Sequence, residues 1–459
     1  MLKTATADPL QWPNHKKISI VLNIALLSAA GQMASSMVAP SVGQITTEFK
    51  TDSLILAVLV VSVFLIGMAA GLLLTSGISE VYGRLVVIHS TNVLFVACAC
   101  AVAASRSLGQ VIGFRFLQGV AAAAPPAVGG GVIGDMFLPK DRGRATSIYG
   151  LGLLLGPMIG PVAGAYITQE AGWRRNCWII AIVGAVMSLL TTLVLRETYG
   201  PLVRQRNEKR LQVKPGKSDQ VAAIPHSRRR GMGFGTLAGS VVRPIKLLMT
   251  SPLVFLPALG LSVIFGIVFL VLSTMATVYQ QVYGWSTGDS GLPYLGLGVG
   301  LLLGLGIYSV TADRGYRKLT KTIMTPAPEL RLAPITLGSP LAAFGLIIYG
   351  WALEKQLHWI VPIVGCLLLC QGLVFFIMPV TTYLIDVFHA EAAGPVGAAS
   401  VLRCLAGGLL PLCADKLYMS LGYGWGNTTL AFIALLFTPF PYLFYKNGKR
   451  LREGLAVVQ

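Results

Sequence analysis

Apolar runs of about 20 residues, the length a helix needs to cross a bilayer, recur through nearly all of this 459-residue chain. No other feature constrains the fold so strongly. Charged residues make up 12% of the sequence and hydrophobic ones 54%, where a soluble chain carries about twice that charge. The pattern defines a polytopic helical membrane protein. Twelve spans are predicted, near residues 18–40, 53–76, 86–104, 109–134, 145–168, 176–196, 253–283, 289–311, 334–353, 359–384, 395–419 and 427–445.

The net charge of +18 sits in a few short polar segments: "HKK" at 15–17, "PKDRGR" at 139–144, the stretch 203–246, "DRGYRKLTK" at 313–321 and "KNGKRLRE" at 446–453. Counting the spans alternately puts all of these on one side of the membrane, and the opposite connectors are nearly balanced. That is the positive-inside pattern, which predicts both termini in the cytoplasm. It explains the basic composition without a nucleic-acid partner. The first 17 residues are polar, so span one is expected to act as its own signal. None of the seven cysteines (Cys98, Cys100, Cys177, Cys366, Cys370, Cys404, Cys413) pairs in a metal-ligand spacing, and neither a metal nor a cofactor is expected.

The largest interruption, 197–250, is polar, rich in Arg and Lys, and reads as a cytoplasmic linker. The expected organisation is an N-terminal tail (1–17), a six-helix bundle (18–196), the linker (197–250), a second six-helix bundle (251–446) and a C-terminal tail (447–459). The halves echo each other. "SEVYGR" (79–84) follows span two and "ADRGYRK" (312–318) follows span eight; "LQGVAAAAPP" in span four matches "CQGLVFFIMP" in span ten. A duplicated six-helix unit in a membrane points to a secondary transporter.

Several segments carry a resemblance to a family. "GPMIGPVAG" (156–164) resembles the fifth-span antiporter signature of the fungal drug:proton antiporters, a twelve-span branch of the major facilitator superfamily. "SGISEVYGR" (76–84) is similar to that superfamily's loop between spans two and three, and "RFLQG" (115–119) to its fourth-span motif. The likeness continues through "DPLQWP" (8–13), "RGRATSIYGLG" (142–152), "AGWRRNCWI" (171–179), "ETYGP" (197–201), "PELRL" (328–332), "HWIVP" (358–362), "YLIDVF" (383–388) and "LGYGWGN" (421–427). It implies an all-α membrane protein of two pseudo-symmetric six-helix bundles. Three departures stand out: Leu85 where the family has Arg or Lys, Ser76 where it has Gly, and "RRN" at 174–176 in place of an aromatic stretch. The first two are expected to loosen the cytoplasmic gate.

Gly152, Gly156, Gly160 and Gly164 recur every four residues and lie along one face of span five. Such a stripe allows close backbone approach. Span eight carries a matching row, Gly296, Gly300 and Gly304. The expectation is that spans five and eight cross on these stripes where the halves meet, with Pro157 and Pro161 bending span five. The resemblance implies that this bent helix seals the interface against leak.

In the loops, the gate set is Glu80, Gly83, Arg84, Asp135, Asp313, Arg314 and Asp386. Glu80 is expected near the cytoplasmic start of span eleven, where the helix dipole favours an anion. Arg84 is expected to pair with Asp135, Asp313 to face the start of span five, and Arg314 or Arg317 to lie near Asp386. Within the membrane, ionisable groups are costly and functionally suspect. Arg115 falls on the motif that the resemblance links to proton coupling; its alternative role is purely structural, bonded to neighbouring carbonyls. Arg403 in span eleven, nearer the cytoplasmic end, is expected to snorkel or anchor, with a place in the substrate or proton pathway as the alternative. Asn23, Gln118, Tyr279, Gln280 and Gln371 are polar candidates for a cavity wall, each also a potential helix–helix hydrogen bond. No carboxylate is placed deep in a span, and Glu80, Asp135, Asp313 and Asp386 stand at cytoplasmic ends.

These features predict a secondary active efflux transporter for an amphipathic drug, toxin or secondary metabolite, by proton antiport and alternating access. An organic-anion carrier or importer on the same fold is the alternative, and a non-transporting sensor the alternative from another class. The membrane-fixed arginines disfavour a polyamine cargo. The chain shows no HExxH, GxSxG or GxxxxGK[ST] motif that would mark an enzyme or ATP-driven pump. The expected partners are the substrate, protons and lipid, the expected state a monomer. The plasma membrane is the expected location, with the vacuolar membrane as alternative. The "NTT" sequon at 427–429 is expected to lie too near the bilayer for use.

Overall fold

Helix accounts for every apolar run, and no strand occurs among the described residues. The computed structural model describes residues 9–51, 53–137, 139–199, 242, 245–323, 328–388 and 393–456; at some positions within helices, including Glu80, Asp313 and Arg314, it describes the backbone alone. Span one is Asn14–Ser36, span two Leu54–Tyr82, span three Arg84–Ala103 and span four the pair Leu108–Ala122 and Ala124–Met136. Span five is Pro139–Ala171 and span six Trp173–Val194. In the second half, spans seven to ten are Pro252–Tyr283, Tyr294–Ile323, Ile335–Glu354 and Ile360–Phe388. Most of the expected linker 197–250 lies outside the described residues.

Eleven helical segments are long and apolar enough to cross a membrane, and the last, Gly394–Gly448, runs for 55 residues. At 1.5 Å per residue that is about 80 Å of helix, far more than the roughly 30 Å of a hydrocarbon core. The segment folds back at Gly422, whose φ of 70° and ψ of 179° belong to no helix and are open mainly to glycine. Span eleven is therefore Ala393–Leu409 continued through a 3-10 turn, Leu410–Cys413, and residues 414–421. Span twelve is residues 423–435 followed, after a turn, by Phe440–Ala456. Asn427 of the sequon is buried, its amide donating to the Tyr423 carbonyl at 2.9 Å.

Within the first half, span one packs along span five, two along four, and three along six. Within the second, seven packs along eleven, eight and nine along ten, and nine along twelve. The halves meet along two seams, span two against span eleven and span five against span eight.

The glycine stripes do not lie on the second seam. A Cβ on Gly152, Gly156, Gly160 or Gly164 would come within 2.1–2.7 Å of atoms of span one, from Ala25 to Met37. Gly296, Gly300 and Gly304 likewise face span ten, at Ile363, Leu367 and Val374. Spans five and eight touch through other residues: Gly298 packs on Met158, and Gly291 on Ala165 and Pro161. The reason is helical geometry. Met158 stands two residues, about 200°, from Gly156, and Gly298 the same from Gly296. Each helix thus uses one face within its own bundle and the other at the seam. Span five remains one continuous helix through Pro157 and Pro161.

Carboxylates pin the lateral helices. Glu197, after span six, accepts the backbone N–H groups of Arg84 (3.2 Å), Leu85 (3.3 Å) and Tyr199 (3.0 Å). It caps span three where four amides lack intrahelical partners. Glu354, ending span nine, accepts those of Tyr423 (2.9 Å) and Gly424 (3.2 Å) at the start of span twelve. The two clamps lie on opposite faces of the membrane domain.

Candidate substrate pathway and gates

We call the face at which span one begins, span six ends and span seven begins the basic face. There Arg84 meets Asp135 at 2.7 Å and donates to the Val128 carbonyl at 3.2 Å. Gly131 makes room for the guanidinium, since a Cβ there would overlap it. Gly83, with a φ of 97°, turns the chain between spans two and three. Leu85, the departure in this loop, leaves the Arg84–Asp135 pair intact. Asp386 pairs with Arg331 of "PELRL", at 2.9 Å, a partner the sequence did not suggest. The expected contacts of Glu80, Asp313, Arg314 and Arg317 lie outside the described side chains.

On the opposite face, the "RRN" departure has a structural use. Glu48 accepts from the indole N–H of Trp173 at 2.7 Å and pairs with Arg174. Arg174 also donates to the Ser105 carbonyl at 2.9 Å. The neighbouring cation holds the Glu48 carboxyl below its ordinary range. Asn176 is fully buried and donates to Ser41, Thr168 and the Gly164 carbonyl at 2.6–3.0 Å. On this face one hydrogen bond joins the two halves among the described residues, from the Gly288 N–H to the Gln169 side-chain oxygen, at 2.7 Å.

Inside the membrane, Arg115 is bonded to backbone carbonyls. It is 1% exposed, and its guanidinium donates to the carbonyls of Ala34 (2.9 Å), Ser35 (3.1 Å) and Val60 (2.9 Å). Span one ends at Ser36, so Ala34 and Ser35 carry carbonyls from its last turn, at the negative end of its dipole. A fixed planar cation with five donors suits that end better than any other side chain. Arg115 binds spans one, two and four into one body.

Three of the polar candidates also serve packing. Asn23 accepts from Thr191 of span six at 3.1 Å. The Tyr279 hydroxyl donates to the Trp359 carbonyl at 3.1 Å and Gln280 donates to Ser290 at 3.0 Å, both near the opposite face. Gln118 is buried and Gln371 half-buried.

Arg403 lies against span seven. It does not reach back toward the basic face. Ten residues into span eleven, about 15 Å along the helix, its guanidinium lies over the Phe265 ring of span seven, 4.5 Å from the centroid. Phe265 is itself 13 residues inside span seven, so the charge points to mid-membrane depth. One turn further along, Gly407 packs on Phe265 and on Leu65 of span two, which places Arg403 at the junction of the halves. Tyr149 of span five lies within its electrostatic reach.

Sequence reasoning also passed over one carboxylate. Asp415 lies in the first turn of Ala414–Leu435, half-buried, toward the opposite face from Asp135 and Asp386. It was legible, since position 415 falls inside the range expected for span eleven.

Two six-helix bodies, each knit by polar clamps and joined across their seams by one hydrogen bond among the described residues, define a membrane transporter of small molecules. The sequence comparisons agree. The model described as Major Facilitator Superfamily matches residues 24–411, and the chain belongs to that superfamily. It is 39% identical to the MFS-type transporter hepF of Aspergillus oryzae, over 98% of this chain and 93% of that one. It is 41% identical to the MFS-type transporter penM of Penicillium rubens, over 97% and 87%. It is also 38% identical to the efflux pump radE of Floropilus chiversii, over 97% and 83%. Among solved structures, the xylose transporter XylE from E. coli matches with a TM-score of 0.66 at 16% identity, over 92% of this chain and 97% of that one. The human organic anion transporter MFSD10 matches with a TM-score of 0.63 at 18% identity, over 94% and 99%.

Proposed function

We propose that the protein exports an amphipathic small molecule by proton antiport, as a monomer in the plasma membrane with its basic face in the cytoplasm. One observation carries the mechanism. Each half is tied internally by charged clamps at Arg115, Glu197 and Glu354, whereas the seams are crossed by the single Gln169–Gly288 hydrogen bond among the described residues. Rigid halves over a weakly bonded seam can rock as bodies. The likeness to a relative named as an efflux pump supports the outward direction. Asp415 has no hydrogen-bond or ion-pair partner among the described residues and supplies a carboxylate near the face a proton would enter from.

The test uses inside-out membrane vesicles and a fluorescent amphiphile. An acid-inside pH gradient is expected to drive dye into the lumen, a protonophore to stop it, and Asp415→Asn to uncouple dye movement from the gradient. Dye driven outward by the same gradient would make the protein an importer.

A further inference from the structure

Arg403 is the charge that the clamps leave over. It makes no hydrogen bond or ion pair to any described residue, and its recorded contact is the face of Phe265. Phe265 stacks on Phe269, centroids 4.7 Å apart. Across the junction stands Tyr149, buried, whose hydroxyl lies 3.4 Å from the Pro125 carbonyl and beside the Ser28 hydroxyl. The Tyr149 ring packs directly on Gly129, where a Cβ would come within 2.8 Å of it. Arg115 shows how this chain satisfies an intramembrane arginine: three carbonyls accept from it. Among the described residues Arg403 has none. A cation held at mid-membrane depth without a counter-ion is costly, and a bound anion would relieve that cost. The surrounding aromatic faces would hold an apolar body.

We propose that Arg403 is an anion-recognition residue and that the cargo is an amphipathic organic anion bearing a carboxylate or ionised phenol. The anionic group would sit on the guanidinium, with Tyr149 as a hydroxyl donor from the other half, and the apolar body against Phe265 and Phe269. This rests on the efflux reading for its biological sense, but its chemistry is separable from the direction of transport. An anion that touches both Arg403 and Tyr149 also bridges the halves, so its presence is felt at the junction that must move.

Two dyes on one xanthene skeleton test it: anionic fluorescein and cationic rhodamine 6G. Binding to the purified full-length protein is read as thermal stabilisation, for the wild type, Arg403→Met and Arg403→Lys. Fluorescein is expected to bind the wild type at least tenfold more tightly than rhodamine 6G. Arg403→Met is expected to lose that preference, and Arg403→Lys to keep part of it. The Met variant removes an unpaired membrane charge, so its unliganded melting temperature should not fall. No preference for the anion in the wild type, or an undiminished preference in Arg403→Met, overturns the inference. An Arg403-dependent anion preference without outward transport in vesicles keeps this inference and removes the direction. Outward transport of rhodamine 6G, unchanged in Arg403→Met, does the reverse.

Discussion

Replacing Gly152 with alanine separates two views of the span-five stripe. A Cβ at this position would lie 2.1 Å from the Ala25 carbonyl oxygen and 2.6 Å from its carbon, where ordinary contact begins at 3.4 Å. Both atoms are backbone of span one and cannot rotate away, so the helices must part by more than ~1 Å along their contact. Overpacking of this kind costs about 1–3 kcal/mol. With roughly 2–4 °C per kcal/mol for a unit of 150–250 residues, the melting temperature should fall by about 2–12 °C. Gly150 is the control: a Cβ there meets nothing within 4 Å, and Gly150→Ala should stabilise by up to ~1 kcal/mol through helix propensity. Gly298→Ala probes the seam itself. Its Cβ meets the Met158 thioether, 2.1 Å from Cγ, a flexible chain that can turn aside. A rotamer change moves Cγ and the sulfur aside but not the Met158 Cβ, 2.6 Å away, so the seam must open by several tenths of an ångström; that variant should melt below the wild type, by less than Gly152→Ala, and should change the transport rate. The assay is thermal melting of purified protein beside dye transport in vesicles. If Gly152→Ala melts with the wild type yet loses transport, the stripe belongs to the moving seam and the packing argument is wrong.

Other positions give sharper single outcomes. Arg115→Lys keeps the charge but cannot satisfy three carbonyls at once; losing two of them should cost about 2–4 kcal/mol, seen as lower folded yield and melting temperature, and a Lys variant as stable as the wild type would sink the capping role. Glu197→Ala should free the amides at the start of span three at a cost of about 1–2 kcal/mol, read as faster hydrogen exchange at Arg84 and Leu85; unchanged exchange there would mean that water caps the helix equally well. For Glu48, the carboxyl is held below the ordinary glutamate value of 4.5 by Arg174 first and by Trp173. Its contribution is therefore fully present above that value and lost as pH falls through the lower folded one. The melting difference between wild type and Glu48→Gln should be constant from pH 7 to 5 and shrink below about 4.5; a difference unchanged at pH 3 would contradict the ion pair.

Much of the fold was legible because the bilayer allows few answers. Apolar length set the spans, and the basic clusters separated one face from the other. The last two spans were separable in sequence, at 395–419 and 427–445, and the backbone angles of Gly422 put the turn in the gap between them, within helix that otherwise runs for 55 residues. The site was less legible. A glycine every four residues announces that some backbone comes close, but periodicity carries no information about which helix arrives. Span eight has glycines two apart as well as four apart, and both rows are used, against different partners. Arg115 and Arg403 look alike in sequence, each a lone cation in an apolar run. What separates them is whether a helix end happens to fall beside the guanidinium, which is a tertiary fact. Glu197 was read only as part of a motif, because nothing in a sequence shows that residues 113 positions apart share a hydrogen bond.

Those long-range clamps also bear on how the chain is made. Span one leaves the ribosome with its last carbonyls bare, and they stay so until Arg115 arrives some 80 residues later. The first amides of span three wait for Glu197, which follows the sixth helix. A nascent chain that stops short of position 197 therefore has all six helices of the first half but an open end on one of them. A few residues more, and that half's clamps are complete before any of the second half has been synthesised. The second half repeats the delay, with Glu354 waiting for Tyr423. Each bundle can set as a unit in the order of its synthesis, and the junction between them is left as the one part of the molecule that assembly does not lock.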